Sequence, residues 1–286
     1  MPELPEVETV RAGLAPLVAG RRIETVTVLH PRLVRHQPGG AEEFQHQLVG
    51  CVLGVPRRRG KYLWFPLDGE HALLAHLGMS GQFRVDSGRA RPPRHLRVTI
   101  DLSESDAGDP PLQLRYADQR MFGELKFSPG GVDLPSEIRH IARDLLDPDV
   151  DRAALVARIR RSRSGIKRLL LNQRVTSGIG NIYADEALWR ARIHYDTSGA
   201  KLSTRRVHTL LDAARATMTE ALAQGGTSFD DLYVHVNGES GYFSRSLRSY
   251  SRDGEPCYRC GAPIVREPFM NRSSYFCPKC QRRPRR

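Results

Sequence analysis

Apolar and polar residues alternate along much of the first half of the chain. Before that alternation begins, Val7, Val10, Leu14 and Leu17 recur at spacings of three or four, which predicts an amphipathic helix. The period then shortens to two in a series of runs that turn-rich segments separate. These strand-like runs are RIETVTVLH, LVGCVLGV, KYLWFPL, HALLAHL, HLRVTIDL, LQLRYAD and GELKFSP. So many short strands after one helix predict a β-sandwich or barrel-like domain that ends at about residue 130.

Further along the chain, the apolar residues recur with helical spacing instead. The segments with this period are SEIRHIARDLLD, DRAALVARIRR, GIKRLLLNQ, IYADEALWRARI and STRRVHTLLDAARATMTEALAQ. A polar, glycine-containing stretch, GGTSFDDLYVHVNGESGYF, follows the last of them and is typical of a mobile loop. The predicted fold class is therefore α+β and multidomain, with an N-terminal β-sandwich preceded by a helix and a C-terminal helical domain.

Charge suggests a class of partner for this chain. Its formal net charge is +12 and its pI is about 9.9, which favours an anionic partner, and nucleic acid is the commonest one. A basic surface that serves solubility alone is the alternative. The N-terminus is acidic and lacks the apolar segment of a signal peptide, and no run reaches the ~18 apolar residues of a membrane span. We therefore expect a cytoplasmic protein, nucleoid-associated in a bacterium, with no membrane partner.

Four of the five cysteines lie close together near the C-terminus. They form the pattern C-x2-C-x16-C-x2-C, and they are Cys257, Cys260, Cys277 and Cys280. This spacing is typical of a four-cysteine zinc site, whereas disulfides fit poorly with a reducing compartment. Four thiolates leave no open position for water, so we expect one structural Zn²⁺. The fifth cysteine, Cys51, lies in the apolar run LVGCVLGV, which predicts a buried strand and an inert thiol.

The first ten residues, MPELPEVETV, allow two interpretations. Pro2 and Pro5 are suited to the start of a helix, whose first turn also favours acidic residues. Removal of the initiator methionine would also leave Pro2 as a secondary amine at the chain end. The α-amino group has a pKa of roughly 7.7–8.0, so a useful fraction is neutral and nucleophilic at physiological pH. These residues alone leave both interpretations open.

Six motifs that follow one another along the chain favour the chemical interpretation. They are PELPEVETV, RRRGKYLW, HLGMSG, ADQRMFG, SGIGNIYADEALW and CYRC…FMNRSSYFCPKCQ. Together they resemble formamidopyrimidine-DNA glycosylases, the base-excision repair enzymes related to endonuclease VIII, from residue 2 to about residue 281. The resemblance implies an enzyme that removes oxidised purines from duplex DNA and then cleaves the abasic strand. It also implies a helix–two-turns–helix motif in the helical domain, followed by a zinc finger.

The resemblance implies roles for the catalytic residues. Pro2 would attack the sugar C1′ and form an iminium, and Glu3 would act as general acid and base in opening the sugar ring. Lys61 would assist β-elimination and contact phosphate, and Arg272 would serve δ-elimination and phosphate binding. Glu6 matches a further acidic residue that helps structure the site. Glu8 is interpreted as a solvated helix residue.

A second group of residues would bind DNA. Something must fill the space left when the lesion is turned out of the stack, and the resemblance assigns this to Met79, Arg120 and Phe122. It assigns the phosphate contacts to Asn181, His95, Arg163 and Lys167. Core packing for the apolar pair and solvated surface charge for the basic residues are the alternatives. Ser162 stands where some relatives have a basic phosphate contact, and Ser80 stands where some have glutamate.

The expected organisation has four parts. They are a catalytic sandwich domain at 1–131, a helix–two-turns–helix domain at 132–224, a mobile lesion-recognition loop and connector at 225–254, and a zinc finger at 255–286. The expected partner is double-stranded DNA with oxidised bases or abasic sites, bound by a monomer. Two alternatives stay open: an endonuclease VIII-like enzyme for oxidised pyrimidines, and a zinc-containing DNA-binding protein without catalysis.

Overall fold

The computed structural model describes residues 2–226 and 243–284 of the chain. Contacts divide these residues into two compact units. The first unit runs to His140 and includes Gly225 and Gly226, and the second comprises Ile141–Gln224 and the residues from Phe243 onward. The mobile loop expected at 225–242 falls almost entirely outside the described residues.

The first unit is a β-sandwich preceded by a helix, as expected. Helix α1 spans Leu4–Val18, and a second helix, α2, spans Gly40–Leu48. The strands in chain order are β1 (Ile23–Val28), β2 (Arg57–Arg59), β3 (Tyr62–Pro66), β4 (Ala72–His76), β5 (Gly81–Asp86), β6 (Leu96–Leu102), β7 (Leu112–Asp118) and β8 (Glu124–Ser128). One antiparallel sheet has the spatial order β1-β6-β7-β5 and the other has the order β2-β3-β4-β8.

The core of this unit follows from the period-two pattern of its strands. Along β6, Val98, Ile100 and Leu102 are buried while the residues between them are partly exposed, so one face of the strand points inward. The buried face of α1, which includes Val10 and Leu14, belongs to the same apolar cluster. Burial of this kind contributes roughly 1.5–3 kcal/mol for each large side chain. The alternation read from the sequence therefore identified the core-facing residues.

The prediction of a buried strand around Cys51 is wrong. Helix α2 continues to Leu48, and Gly50, whose φ is +88°, turns the chain immediately afterwards. The next residues form only isolated bridges, Val52 with Arg22 and Leu53 with Leu67. The apolar residues of this run belong in part to the buried face of a helix, which a short run cannot distinguish from a strand. Cys51 itself is half-buried against the core rather than enclosed in it.

The second unit combines four described helices with a zinc-finger hairpin. The helices are α3 (Arg152–Arg160), α4 (Ile166–Leu171), α5 (Asn181–Ala191) and α6 (Thr204–Ala223). A turn at residues 173–175 and irregular backbone up to residue 180 connect α4 to α5, in the place of the expected helix–two-turns–helix motif. The hairpin strands β9 (Val265–Phe269) and β10 (Arg272–Phe276) pair antiparallel. No helix within the described ranges is long and apolar enough to cross a membrane.

The helix expected from SEIRHIARDLLD does not form. Only a short 3-10 turn at Ser136–Ile138 is present there. Beyond it, the Asp144 side chain accepts the N–H of Leu146 and the Asp147 side chain accepts the N–H of Asp149. Short acidic side chains that bond to nearby backbone in this way offer the chain an alternative to the helix. The helical period of the apolar residues was outweighed by these local turns.

Candidate active site and zinc finger

The N-terminal end of α1 is held by reciprocal hydrogen bonds. Pro2 is buried, and Glu3 is 2% exposed and caps the helix. The N–H of Glu3 donates to Oε2 of Glu6 at 2.8 Å, while the Glu3 side chain accepts the N–H of Glu6 in a capping box. Glu6 thus holds the backbone at the start of α1. The residue with the candidate amine is positioned by its own helix.

Glu8 is not a solvated helix residue, contrary to expectation. Its carboxylate accepts hydrogen bonds from Nε and Nη2 of Arg11. It also accepts one from Nε of Arg58 in strand β2, at 2.9 Å. These guanidinium groups lower the pKa of Glu8 although partial burial opposes the shift. Arg58 in turn donates to the carbonyl of Gly60 at 3.0 Å, in the turn that precedes Lys61. The cluster therefore links helix α1 to the hairpin that carries Lys61.

His76 lies beside Lys61, and sequence reasoning missed it. The imidazole packs on Tyr62 with ring centroids 4.6 Å apart, and Tyr62 pairs with His76 across strands β3 and β4. Removal from water, and then the nearby charges of Lys61 and Arg35, lower the pKa of His76 to about 4. Its Nδ1 accepts the N–H of Gly78 at 3.2 Å. No sequence signal marks this histidine, because the register that places it opposite Tyr62 is a property of the folded sheet.

The two apolar candidates for DNA contact lie outside the core. Met79 is 36% exposed and Phe122 is 47% exposed, so the core-packing alternative does not hold for them. The guanidinium of Arg120 lies over the Phe122 ring at 5.4 Å from its centroid. Large apolar side chains left in water at a loop often mark a binding surface.

A buried carboxylate positions the loops that carry these side chains. Asp118, which is 0% exposed, accepts the hydroxyl of Ser80 at 2.5 Å and the N–H of Arg120 at 3.1 Å. Its second oxygen accepts the N–H of Gly123 at 2.8 Å. A Cβ at Gly78 would lie 2.4 Å from the backbone of Phe122, so only glycine allows the loops to approach this closely. These hydrogen bonds and the close approach at Gly78 fix the backbone that carries Met79, Arg120 and Phe122.

His95 lies at a strained backbone position beside a cavity. Its φ is +63°, in the left-handed region that non-glycine residues rarely adopt. Its buried Nε2 has no hydrogen-bond partner among the described residues. The cavity of about 120 Å³ beside it is also lined by Arg84 and Arg94. The lining has mixed charge, because the Asp118 carboxylate also faces this cavity.

In the second unit, the structure does not present Lys167 to a phosphate. Its side chain is 0% exposed, and its Nζ lies 2.7 Å from Oδ1 of Asp185. The ammonium also donates to the Ser273 carbonyl at 3.1 Å and to the Ser274 hydroxyl at 2.8 Å. With its donors directed at these groups, it is enclosed by protein. The expected phosphate contact at Lys167 therefore does not match this arrangement.

The other candidates in this unit lie nearer the surface. Arg163 is exposed in the segment between α3 and α4, and Ser162 beside it is half-buried. Asn181 is half-buried at the start of α5, where its amide donates to the Ser273 carbonyl at 3.0 Å. Arg272 is exposed at the start of β10.

The four C-terminal cysteines converge on one point. Their sulfur atoms all lie within 4.8 Å of one another, which fits a tetrahedral ion whose ligands, at ~2.3 Å, would be about 3.8 Å apart. The indole Nε1 of Trp189 in α5 donates to Sγ of Cys257 at 3.4 Å, and the N–H of Cys280 donates to Sγ of Cys277 at 3.4 Å. Such donors stabilise thiolates. The donor set therefore fits one structural Zn²⁺.

Comparison with known families assigns three parts of the chain. The model of the formamidopyrimidine-DNA glycosylase N-terminal domain matches residues 1–125, and that of the H2TH domain of the same enzymes matches residues 141–232. The model of the zinc finger found in FPG and IleRS matches residues 254–283. The fold and the zinc-binding set thus define a DNA glycosylase of the helix–two-turns–helix class.

Full-length relatives agree with these matches. The chain is 59% identical over 286 residues to the formamidopyrimidine-DNA glycosylase of Nocardioides sp., with coverage of 100% of this chain and 96% of the relative. It is 56% identical over 292 residues to that of Thermobifida fusca, with coverage of 100% and 99%. The chain belongs to the formamidopyrimidine-DNA glycosylase family.

Solved structures of a Lactococcus lactis relative are also similar. Its wild-type Fpg in complex with DNA containing an oxidised pyrimidine matches with a TM-score of 0.87 and 33% identity, over 99% of this chain and 100% of that chain. The same values hold for its complex with DNA containing N7-benzyl-Fapy-dG.

The depressed pKa of His76 predicts a pH-dependent contribution to stability. The folded pKa of about 4 lies below the ordinary 6.5, so this contribution is fully present above pH 6.5 and is lost as the pH falls through 4. We expect the difference in free energy of unfolding between the wild type and His76→Gln to shrink by about 1–3 kcal/mol as the pH falls across this range. Denaturant unfolding at each pH measures this difference. His140→Gln, at an exposed histidine, is the control. An advantage that does not change with pH would contradict the prediction.

Removal of one zinc ligand should disorder the finger. Cys277→Ser takes away a thiolate at a fully buried position, and small metal modules generally unfold without their ion. We expect loss of bound zinc, measured by metal analysis, and a changed fluorescence of Trp189, which packs against Cys257. Arg272→Ala, at an exposed position between the cysteine pairs, should keep its zinc. Full zinc content in Cys277→Ser would show that the cysteines do not share one ion.

Proposed function

We propose that this protein removes oxidised purines, such as 8-oxoguanine and formamidopyrimidines, from duplex DNA and then cleaves the strand by β,δ-elimination. The observation that carries this proposal is the buried N-terminal end of α1, where Pro2 adjoins the capping residue Glu3. The Glu8–Arg58 contact links the same helix to the hairpin of Lys61. The family to which the chain belongs supports the same chemistry.

The covalent step would use the amine of Pro2. Once the initiator methionine is removed, the nitrogen lone pair attacks the sugar C1′ and the bond from C1′ to the damaged base breaks, with its electron pair leaving on the base. Glu3 then takes up the N–H proton of the attached amine and delivers a proton to the ring oxygen as the ring opens and the iminium forms, while the departing base takes a proton from water. A secondary amine gives an iminium that is cationic at any pH and can accept electrons in the elimination steps.

Elimination would use basic residues at the phosphates. Lys61, in the turn after β2, would contact phosphate and assist β-elimination. Arg272, exposed on the finger hairpin, would bind the phosphate that leaves in δ-elimination. His76, held neutral next to Lys61, belongs to the same surroundings.

DNA binding would combine wedges and phosphate contacts. Met79 and Phe122 would fill the space of the extruded nucleotide, and Arg120 would hydrogen-bond the orphaned base. His95, Arg163 and Asn181 are the proposed phosphate contacts.

The proposed organisation keeps the four parts expected from the sequence. The sandwich at 1–131 would carry the chemistry, the helical part at 132–224 and the finger at 255–286 would bind the duplex, and the connector at 225–254 would recognise the lesion. We propose a monomer that acts on chromosomal DNA in the bacterial cytoplasm. Sedimentation at micromolar concentration tests the oligomeric state.

A second substrate class deserves the same test. The Lactococcus lactis relative was solved with DNA containing an oxidised pyrimidine, which favours some activity of this kind. Duplexes with 8-oxoguanine opposite cytosine or adenine, and with thymine glycol opposite adenine, separate the two substrate classes. We expect faster cleavage at 8-oxoguanine; faster cleavage at thymine glycol would favour an endonuclease VIII-like function. Absence of cleavage of every duplex would leave a DNA-binding protein without catalysis.

The amine of Pro2 should be the nucleophile. Borohydride should reduce the iminium and leave a stable protein–DNA adduct that mass spectrometry maps to Pro2. Pro2→Glu, which retains the initiator methionine, should abolish the adduct. Lys61→Met should still form it, because the amine is intact. An adduct mapped to Lys61, or full activity in Pro2→Glu, would refute the assignment.

Arg120 should recognise the base opposite the lesion. Its backbone is fixed by Asp118 and Ser80, so the side chain is presented from a rigid loop. Such a contact is worth about 1–3 kcal/mol of discrimination. Arg120→Ala should therefore reduce the preference for cytosine over adenine opposite 8-oxoguanine about tenfold, measured as a ratio of single-turnover rates. Arg139→Ala, at an exposed position, is the control. An unchanged ratio in Arg120→Ala would exclude this role.

A further inference from the structure

The outer edge of strand β10 is hydrogen-bonded by side chains instead of by another strand. One edge of β10 pairs with β9. On the other edge, the Ser273 carbonyl accepts from Nζ of Lys167 at 3.1 Å and from the amide of Asn181 at 3.0 Å. Two residues further, the N–H of Tyr275 donates to Oδ2 of Asp185 at 3.1 Å. Helices α4 and α5 thus take the place of a third strand.

This edge is supported from a third segment as well. The hydroxyl of Ser249, which is 0% exposed, donates to the Tyr275 carbonyl at 2.8 Å. Glu186 of α5 holds the Ser249 segment by accepting the backbone N–H groups of Arg248, Ser249 and Tyr250 at 2.8–2.9 Å. The backbone of β10 is therefore fixed along its length by groups outside the hairpin.

An enclosed ion pair forms the centre of this network. Lys167 and Asp185 are 0% and 1% exposed, and their charged atoms lie 2.7 Å apart. The ammonium also lies 4.9 Å from the ring centroid of Phe269, the residue that pairs with Arg272 across the hairpin. Buried pairs of this kind add little net stability, because desolvation offsets their attraction, but they require one defined arrangement. The pair is thus suited to fixing a position.

The network acts on a part of the finger that the zinc ligands do not reach. Cys277 follows the end of β10 directly and Cys260 precedes β9, so the ion holds the base of the hairpin. Arg272 lies at the opposite end of β10, adjacent to Ser273. The main chain next to Arg272 is held by Lys167 and Asn181, not by a thiolate.

We propose that the buried Lys167–Asp185 pair is a positioning device that sets Arg272 for δ-elimination. The proposal rests on the proposed function. In that step the C4′ proton passes to water, and the C5′–O5′ bond breaks with its electron pair leaving on the phosphate. A guanidinium stabilises that leaving group only if it stands at the right place, and a displacement of ~1 Å can lower a rate by up to about 10²-fold. Lys167 acts through Arg272 and does not touch the DNA.

The test is the ratio of δ- to β-elimination products from an abasic duplex at saturating protein. The double variant Lys167→Met/Asp185→Asn replaces the ion pair by two neutral side chains of similar volume. Its asparagine can still accept the hydrogen bond from the N–H of Tyr275. The Ser273 carbonyl, however, loses its ammonium donor. We expect retained zinc, a normal borohydride-trapped adduct and a δ-to-β ratio lowered about tenfold. The matched control is Arg190→Met with Glu220→Gln, an exposed ion pair in the same unit that should leave the ratio unchanged.

Each outcome is decisive. A normal ratio in the zinc-loaded double variant would overturn the proposal, and so would zinc loss in that variant, since the pair would then hold the whole finger. If the double variant does not fold, Ser274→Ala removes one hydrogen bond of the ammonium. In Ser274→Ala, a fall in the δ-to-β ratio of less than tenfold would support the proposal, and an unchanged ratio would overturn it. Absence of any adduct from the wild type would refute the proposed function itself, and the positioning role with it.

Discussion

The chemistry proposed for this family member depends on keeping a chain end in place. Termini of folded domains usually fray because nothing precedes them to restrain their backbone. Here the restraint comes from the helix that follows: Leu4 is fully buried, and the N–H of Glu3 is held by the carboxylate of Glu6. An acidic residue at this position also interacts favourably with the helix dipole. The same residues thus serve the start of a helix and the site, so the two interpretations of the opening sequence are compatible.

Buried carboxylates hold the remaining functional segments. Asp118 fixes the loops of Met79 and Arg120, and Asp185 holds the backbone of β10 at Tyr275. Loops and edge strands lack a full ladder of backbone hydrogen bonds, so a carboxylate that accepts two or three N–H or O–H donors can replace part of it. A side-chain acceptor also allows irregular backbone, such as the loop after Asp118. Rigid positioning of exposed side chains is achieved in this way without regular secondary structure.

The sequence predicted the sandwich, the helical part and the zinc site because each has a short-range signal. Strands such as β6 alternate buried and partly exposed residues, and the cysteine spacing is specific for a metal. Prediction from the sequence failed where the surroundings of a side chain depend on a residue that is distant in the chain. Glu8 was expected in solvent because its partner Arg58 is 50 residues away, and Lys167 was expected at a phosphate because its contact with Ser274 is 107 residues away. Residues of the same type are solvated, paired or catalytic according to such contacts, which periodicity does not encode.

The division of these residues between the two units has a chemical consequence. Pro2, Glu3 and Lys61 lie in the first unit, whereas Arg272 and the network that holds it lie in the second. Base removal and iminium formation need the amine and its acid, and δ-elimination needs in addition a charge at the leaving phosphate. On the proposed mechanism, a perturbation confined to the packing of α4, α5 and the finger hairpin would act on the last step and leave the groups around the amine unchanged. The contacts that would support the early steps and the last step therefore belong to different units.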